Sequence, residues 1–328
     1  MLNVLVAAAL VTLTATPFPL PGASGSIGFD DLAFVPKLKR VVIPAGRAGS
    51  LYLIDPATKA ADPVTGFSAE APGKTGHGEG VTSADFGRGL LFTTDRTTKK
   101  LDVVDPFSKK IVSSAPLSGG PDYVRWVEKT EELWVTEPED DRIEIFSLPA
   151  GAAPVPEHKA FLKVPGGPES LVIDGDHAYT NLWEDATIAL DVKERSIAGH
   201  WPNGCKGSRG LALDAKRGFL FVGCAEGRAA VLDARHGGKL LDATSAGDGV
   251  DIISFDPGLS HLYFPGGKSA TMAILGVADS GKLSLLGTVK TAEGSHCVVA
   301  DDQHQAWVCD PKAGGLLLVA DTLPEAAP

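Results

Sequence analysis

Three short apolar segments, GLALD, FLFVGC and RAAVLD, follow one another between Arg209 and Asp233, separated by the turns AKRG and AEG. Each has the length, the β-branched content and the Gly or charged boundaries of a strand. A meander of three strands cannot cover both of its own faces, so such a unit must stack on others like it. The chain supplies them. Asp30 to Asp55, Gly80 to Asp105, Asp122 to Ser147, Glu169 to Asp191, Asp251 to Gly276 and His296 to Asp321 repeat the pattern. An acidic residue opens the first turn as Asp85, Asp174, Asp214, Asp256 and Asp301, with Val35 and Val127 in the other two units. Successive starts lie 40 to 50 residues apart, the spacing of propeller blades.

Six units continue into a further apolar segment: KAADPVTGF, KKIVSSAPL, HKAFLKVPG, RSIAGHWP, GKLLDATSA and KLSLLGTVK. The seventh runs into TLPEAAP and lacks one. An unpaired strand edge would expose a row of backbone donors and acceptors, and PFPLPG, Pro17 to Gly22, precedes the first unit and is free to cover it. The expected fold is therefore all-β: a seven-bladed β-propeller with four antiparallel strands per blade, the last blade closed by an N-terminal strand. The repeat is unbroken, so residues 16–328 read as one domain.

The first residues, MLNVLVAAALVTLTATP, hold an apolar run from Val4 to Leu13 followed by small residues. That is the pattern of a secretory signal peptide, residues 1–15, cut near Ala15; the run is too short to span a bilayer, and no membrane span is expected in the mature chain. Cysteine placement points the same way. Cys297 and Cys309 bracket one expected hairpin, and Cys205 and Cys224 bracket the corresponding hairpin of the fifth unit, so two local disulfides are expected, Cys205–Cys224 and Cys297–Cys309. Together these readings place the mature protein in the periplasm or outside the cell. A net charge of −11, with Lys and Arg scattered over turns, argues against nucleic acid as a partner.

In a propeller the first strand of every blade lines the central channel, so residues at equivalent repeat positions form a ring. Here the ring is Asp30, Gly80, Asp122, Glu169, Arg209, Asp251 and His296. Gly-rich turns before the starts carry His77, Glu79 and Asp248 to the same mouth. Two readings stand. In one, Asp30, Glu79, Asp122, Glu169, Arg209, Asp248, Asp251 and His296 bind a polar ligand, or His77, Glu79, Asp122, Glu169 and His296 hold a divalent cation (Mg2+, Ca2+ or Zn2+). In the other, the acids and Arg209 pair with one another and with water.

Sharper chemistry is absent. The chain has no HExxH, GxSxG, Walker loop, EF-hand loop or CxxCH. Ser295 beside His296 is no nucleophile–base pair if both lie on a strand, where neighbours face opposite ways. The acidic loop Glu137 to Asp141 reads as a solvated turn before it reads as a calcium loop. The five tryptophans read as space-fillers between sheets.

The segments LYLIDPATKA, LDVVDPFSKKIV and GLALDAKRGFLFVGCAEGRAAVLDARHGGKLL resemble the YVTN-type, YncE-like seven-bladed β-propellers of secreted bacterial proteins, over nearly the whole mature chain. The resemblance implies the fold directly. For function it implies a range, from surface-layer and binding proteins to lactonases and a lyase that uses a metal and a channel histidine. LYFPG, LFVGC and LWVTE stand where that family's tetrad would sit. The expectation is a monomeric binding or scaffold protein recognising a small molecule, cell-envelope component or protein partner at the channel mouth. The alternative is a metal-dependent lactonase- or lyase-type enzyme with His77 or His296 as general base.

Overall fold

A computed structural model describes residues 13–69 and 79–327. It contains seven four-stranded antiparallel sheets. Their first strands, Ala33–Val35, Val81–Gly87, Val124–Val127, Val172–Asp174, Ser208–Asp214, Ser254–Asp256 and Val298–Ala300, define blades 1 to 7 in chain order. These strands touch their neighbours in cyclic sequence, the seventh meeting the first, which closes a ring.

The final sheet is completed by Ala15–Pro19, which pairs antiparallel with Gly315–Ala320 from Ala15 opposite Val319 to Pro19 opposite Gly315. The expected closing strand is thus present, starting two residues and ending three residues earlier than expected. Leu20 to Gly22 leave the ladder, where the Pro21 carbonyl accepts a bond from Tyr52 Oη at 2.9 Å. Two prolines are tolerated here because the strand is an edge. Of the expected leader, residues 1–12 lie outside the described residues; a cut after Ala15 would leave the pairs from Thr16 to Pro19 intact.

Burial follows strand position. Second strands such as Glu132–Glu137 and Phe219–Cys224 are buried at every residue, since both faces meet neighbouring blades. Fourth strands, such as Glu157–Lys163, are largely exposed. Trp134 and Trp307 are fully buried, and Trp126 stacks on Phe92 between blades 2 and 3 at 5.6 Å. Gly87 is required there, because a Cβ would come within 2.2 Å of the Trp126 ring.

The recurring aspartates are turn fasteners. Asp214 Oδ1 accepts the backbone N–H groups of Lys216 and Arg217, Asp256 those of Gly258 and Leu259, and Asp301 those of Gln303 and Gln305. The aspartates closing the third strands act alike: Asp55 receives Ala57 and Thr58, and Asp233 receives Arg235 and His236. The side chain mimics a backbone acceptor and holds the turn before the sheet is complete. The DP-type motif is therefore structural.

Candidate functional site at the channel mouth

Six of the seven ring positions lie in the loops that enter the first strands; only Arg209 lies within one, Ser208–Asp214. The loops are stitched to one another around the axis. Asn181 Nδ2 donates to the Arg209 carbonyl at 2.6 Å, Gly210 N–H to Asp251 at 2.7 Å, and Asp251 N–H to His296 at 2.9 Å. His296 Nε2 meets the Phe29 carbonyl at 3.1 Å, and Asp31 N–H donates to Thr82 at 3.1 Å. Gly210 permits this approach: a Cβ would lie 2.4 Å from the Asp251 carbonyl oxygen.

The turns between second and third strands arrive at the same end. Arg96 N–H bonds to the Gly80 carbonyl, Trp183 to Gly166, Ala225 to Gly207 and Gly267 to Gly249. This geometry brings in side chains that the ring argument missed. Arg96 reaches across the mouth to Asp30 at 3.0 Å and to Asp122, with Nε on the Pro121 carbonyl at 2.8 Å. Trp183 is 42% exposed, so it fills no space between sheets; its Nε1–H donates to Glu169. Arg209 approaches the other Glu169 oxygen at 3.7 Å. Below this layer Asp31 takes a bidentate pair from Arg125 at 2.6 and 3.0 Å, and the guanidinium lies 5.0 Å from the Tyr123 ring centre.

Acids crowd this mouth. Burial and the neighbouring Asp251 push the Glu169 carboxyl up to about 7, although Trp183 and Arg209 oppose the shift. Burial also raises Asp122 well above the usual carboxylate range; Arg96 opposes, and Asp30, Glu169 and Asp251 add to the rise.

Blade 7 contributes a different chemistry. Cys205 and Cys224 are joined, their Cα atoms 5.3 Å apart, as expected. Cys297 and Cys309, by contrast, are separate buried thiols, and the expected second bridge is not formed. The Cys309 sulfur accepts the Cys297 N–H at 3.2 Å and faces His296 Nδ1 at 3.8 Å, which gives it partners other than a second sulfur. Against burial, which alone would lower it, the neighbouring Cys309 sulfur lifts the His296 imidazole to about 11. Both ring nitrogens meet carbonyl oxygens, Nδ1 that of Gly294 at 2.6 Å and Nε2 that of Phe29, so the ring stands as a donor.

Of the other sequence candidates, Asp30, Asp122, Glu169, Arg209, Asp251 and His296 meet around the axis. Glu79 lies half-buried beside Gly46, and Asp248 is exposed on the rim. His77 lies outside the described residues. Arg96 stands between Asp30 and Asp122 and pairs with both. Among the described residues, the one metal-competent group of three is His296, Cys297 and Cys309. The Glu137 to Asp141 loop is committed internally: Asp141 Oδ1 accepts Gly166 and Gly167 N–H, and Glu137 accepts Gly119 N–H and pairs with Arg142.

Arg96 could have been found. Its turn lies at the same end as the blade starts, as alternation of strand direction requires. Trp183 sits in the corresponding turn of blade 4 and could have been placed at the same end, but its exposure could not, because exposure at a rim is a property of the assembled ring.

No family model and no curated protein matches this chain, so the YVTN-type resemblance is not established as membership. Solved structures match over nearly the full length. The Cps50 (Swd1) β-propeller domain of Myceliophteria thermophila has a TM-score of 0.74 at 12% identity, covering 94% of this chain and 100% of that one. A chain of the Mitotic Checkpoint Complex gives 0.76 at 13%, covering 96% and 94%, and Kuenenia stuttgartiensis hydrazine synthase gives 0.72 at 12%, covering 93% and 97%. At such identity the likeness is one of fold alone, a seven-bladed β-propeller.

Proposed function

We propose that this protein is a periplasmic or secreted binding module that receives a polar small molecule, an envelope component or a protein partner at the channel mouth, and acts as a monomer. The observation that carries the reading is the convergence of Asp30, Arg96, Asp122, Glu169, Trp183, Arg209, Asp251 and His296 from seven separate blades. Such a set offers charges of both signs beside one exposed aromatic face. Similar propellers belong to protein assemblies, among them the Mitotic Checkpoint Complex, which supports a protein partner. The leader-like start and the Cys205–Cys224 bridge support export. The enzyme reading has less support: His296, with both nitrogens on carbonyl oxygens, presents no lone pair for a general base.

The test uses the exposed rim. Trp183→Ala with Arg209→Glu should leave the fold intact and abolish binding of whatever the wild type retains. Phe107→Ala, which alters a 79% exposed side chain on a turn at the opposite end, should not. Equal retention by the rim variant and loss in Phe107→Ala would place the binding surface elsewhere.

A further inference from the structure

The entry to blade 7 brings together three soft or borderline ligand atoms. His296 and Cys297 are consecutive just before the strand Val298–Ala300, and the strand Gln305–Asp310 returns antiparallel so that Cys309 N–H bonds to the Cys297 carbonyl at 3.0 Å. Strand pairing alone therefore sets the two cysteines side by side, and the turn at Gly294 swings the imidazole over Cys309. The two sulfurs and a ring nitrogen all lie within 4.8 Å of one another. A tetrahedral zinc ion, with bonds of about 2.3 Å to sulfur and 2.0 Å to nitrogen, holds such atoms about 3.5 to 3.8 Å apart. The Cys309 to His296 separation of 3.8 Å is already within reach of this.

We propose that His296, Cys297 and Cys309 form a binding site for one zinc-class, thiophilic divalent cation at the inner edge of blade 7. Three features beyond the cluster agree with it. The Cys297 N–H bond to the Cys309 sulfur is the kind of outer contact that stabilises a ligating thiolate. The Phe29 carbonyl from blade 1 accepts from His296 Nε2, which fixes the ring and leaves Nδ1 as the nitrogen turned toward the sulfurs. The Cys205–Cys224 pair of blade 5 is bridged, and Gly204 precedes Cys205 where His296 precedes Cys297, so the two pairs differ in their ligand set.

Binding would draw Nδ1 from the Gly294 carbonyl and release protons from the imidazole and the thiols to solvent. Three protein ligands leave a fourth position for water or a guest. This proposal does not depend on the mouth being a binding surface for a larger ligand.

Full-length mature protein is reduced with a phosphine, freed of metal and titrated anaerobically with Co2+, then with Zn2+. One equivalent of Co2+ should give thiolate-to-cobalt charge-transfer absorption and the visible bands of a tetrahedral centre, and Zn2+ should remove them. Cys309→Ser should abolish the charge-transfer signal, and His296→Gln should weaken Co2+ binding roughly tenfold or more. Cys205→Ser with Cys224→Ser should leave it unchanged. Should the blade 7 variants fail to fold, the wild type decides alone, because bound Zn2+ must protect Cys297 and Cys309 from alkylation in peptide mapping. Folded, reduced wild type that shows no cobalt–thiolate absorption, or whose two thiols alkylate equally with and without Zn2+, overturns the proposal.

Discussion

Glu169 and Glu132 show what the same ionisable group becomes in two environments. Glu169 is raised to about 7 by burial and Asp251, so the folded protein holds its proton where the unfolded chain, near 4.5, has lost it. A raised folded value means that the group's contribution is complete below the unfolded value and is lost as pH climbs through 7. We predict that Glu169→Gln gains stability over wild type on going from pH 5 to pH 8, measured by urea unfolding; an equal difference at both pH values would refute the assignment. Glu132 is the opposite case. Burial would raise it, but bonds from Arg195, Lys159, Trp134 and Thr130 outweigh burial and hold it at about 2. Its contribution is present above the unfolded value near 4.5 and disappears as pH falls toward 2, about 3 kcal/mol for a shift of that size. Glu132→Gln should therefore be destabilising at pH 7 and much less so at pH 2.5, checked by the same denaturant series.

At the scale of the element, strand existence was legible and strand limits were not. The third strands were readable because five of the seven end at an aspartate, Asp55, Asp105, Asp191, Asp233 and Asp321, and carboxylates such as Asp55 and Asp233 fasten the next turn, a local interaction visible in local sequence. The short first strands were placed early, because the entering residues are held outside the ladder: Asp122 N–H by Thr136 and Glu169 N–H by Asn181 of their own blades, Asp251 N–H by His296 of the next blade, and the His296 ring by the Phe29 carbonyl. Blades 2 to 6 share another feature that the segments do not advertise. Their third and fourth strands slip register at Val103/Val104, Ile145/Phe146, Ala189/Leu190, Val231/Leu232 and Ile274/Leu275. Such bulges increase the twist of the outer strand and turn it from the edge plane. The closing strand carries a further prediction. Phe18 meets Trp307 edge-on at 5.0 Å, so Phe18→Ala should cost about 1 to 2 kcal/mol. Removing residues through Pro19 should cost more, because it also strips the outer edge of the last blade. Unchanged thermal stability in the truncated chain would mean that the ring closes without it.

For the whole molecule, every blade is packed between two others and the mouth loops are hydrogen-bonded around the axis. A ring of this kind loses two interfaces when any one blade opens, so we predict a single unfolding transition with coincident near-UV dichroism and tryptophan fluorescence. Two separated transitions would show that part of the ring melts independently. Repetition also explains how much of the site could be seen in advance. Spacing alone brought Asp30, Asp122, Glu169, Arg209, Asp251 and His296 to one end, since equivalent positions in a ring are neighbours.

The amino-acid order determined by itself whatever depends on local periodicity: strand content, the number of blades, the fastened turns, the Cys205–Cys224 hairpin pairing and the missing outer strand of the seventh blade. Tertiary structure alone decided which charges meet, that Arg96 lies between Asp30 and Asp122, that Trp183 faces solvent, and that Cys309 turns toward His296 while Cys297 remains a thiol. These are contacts across blades or between the sides of a hairpin, set by distances of a few tenths of an ångström. No repeat carries that information until the ring has closed.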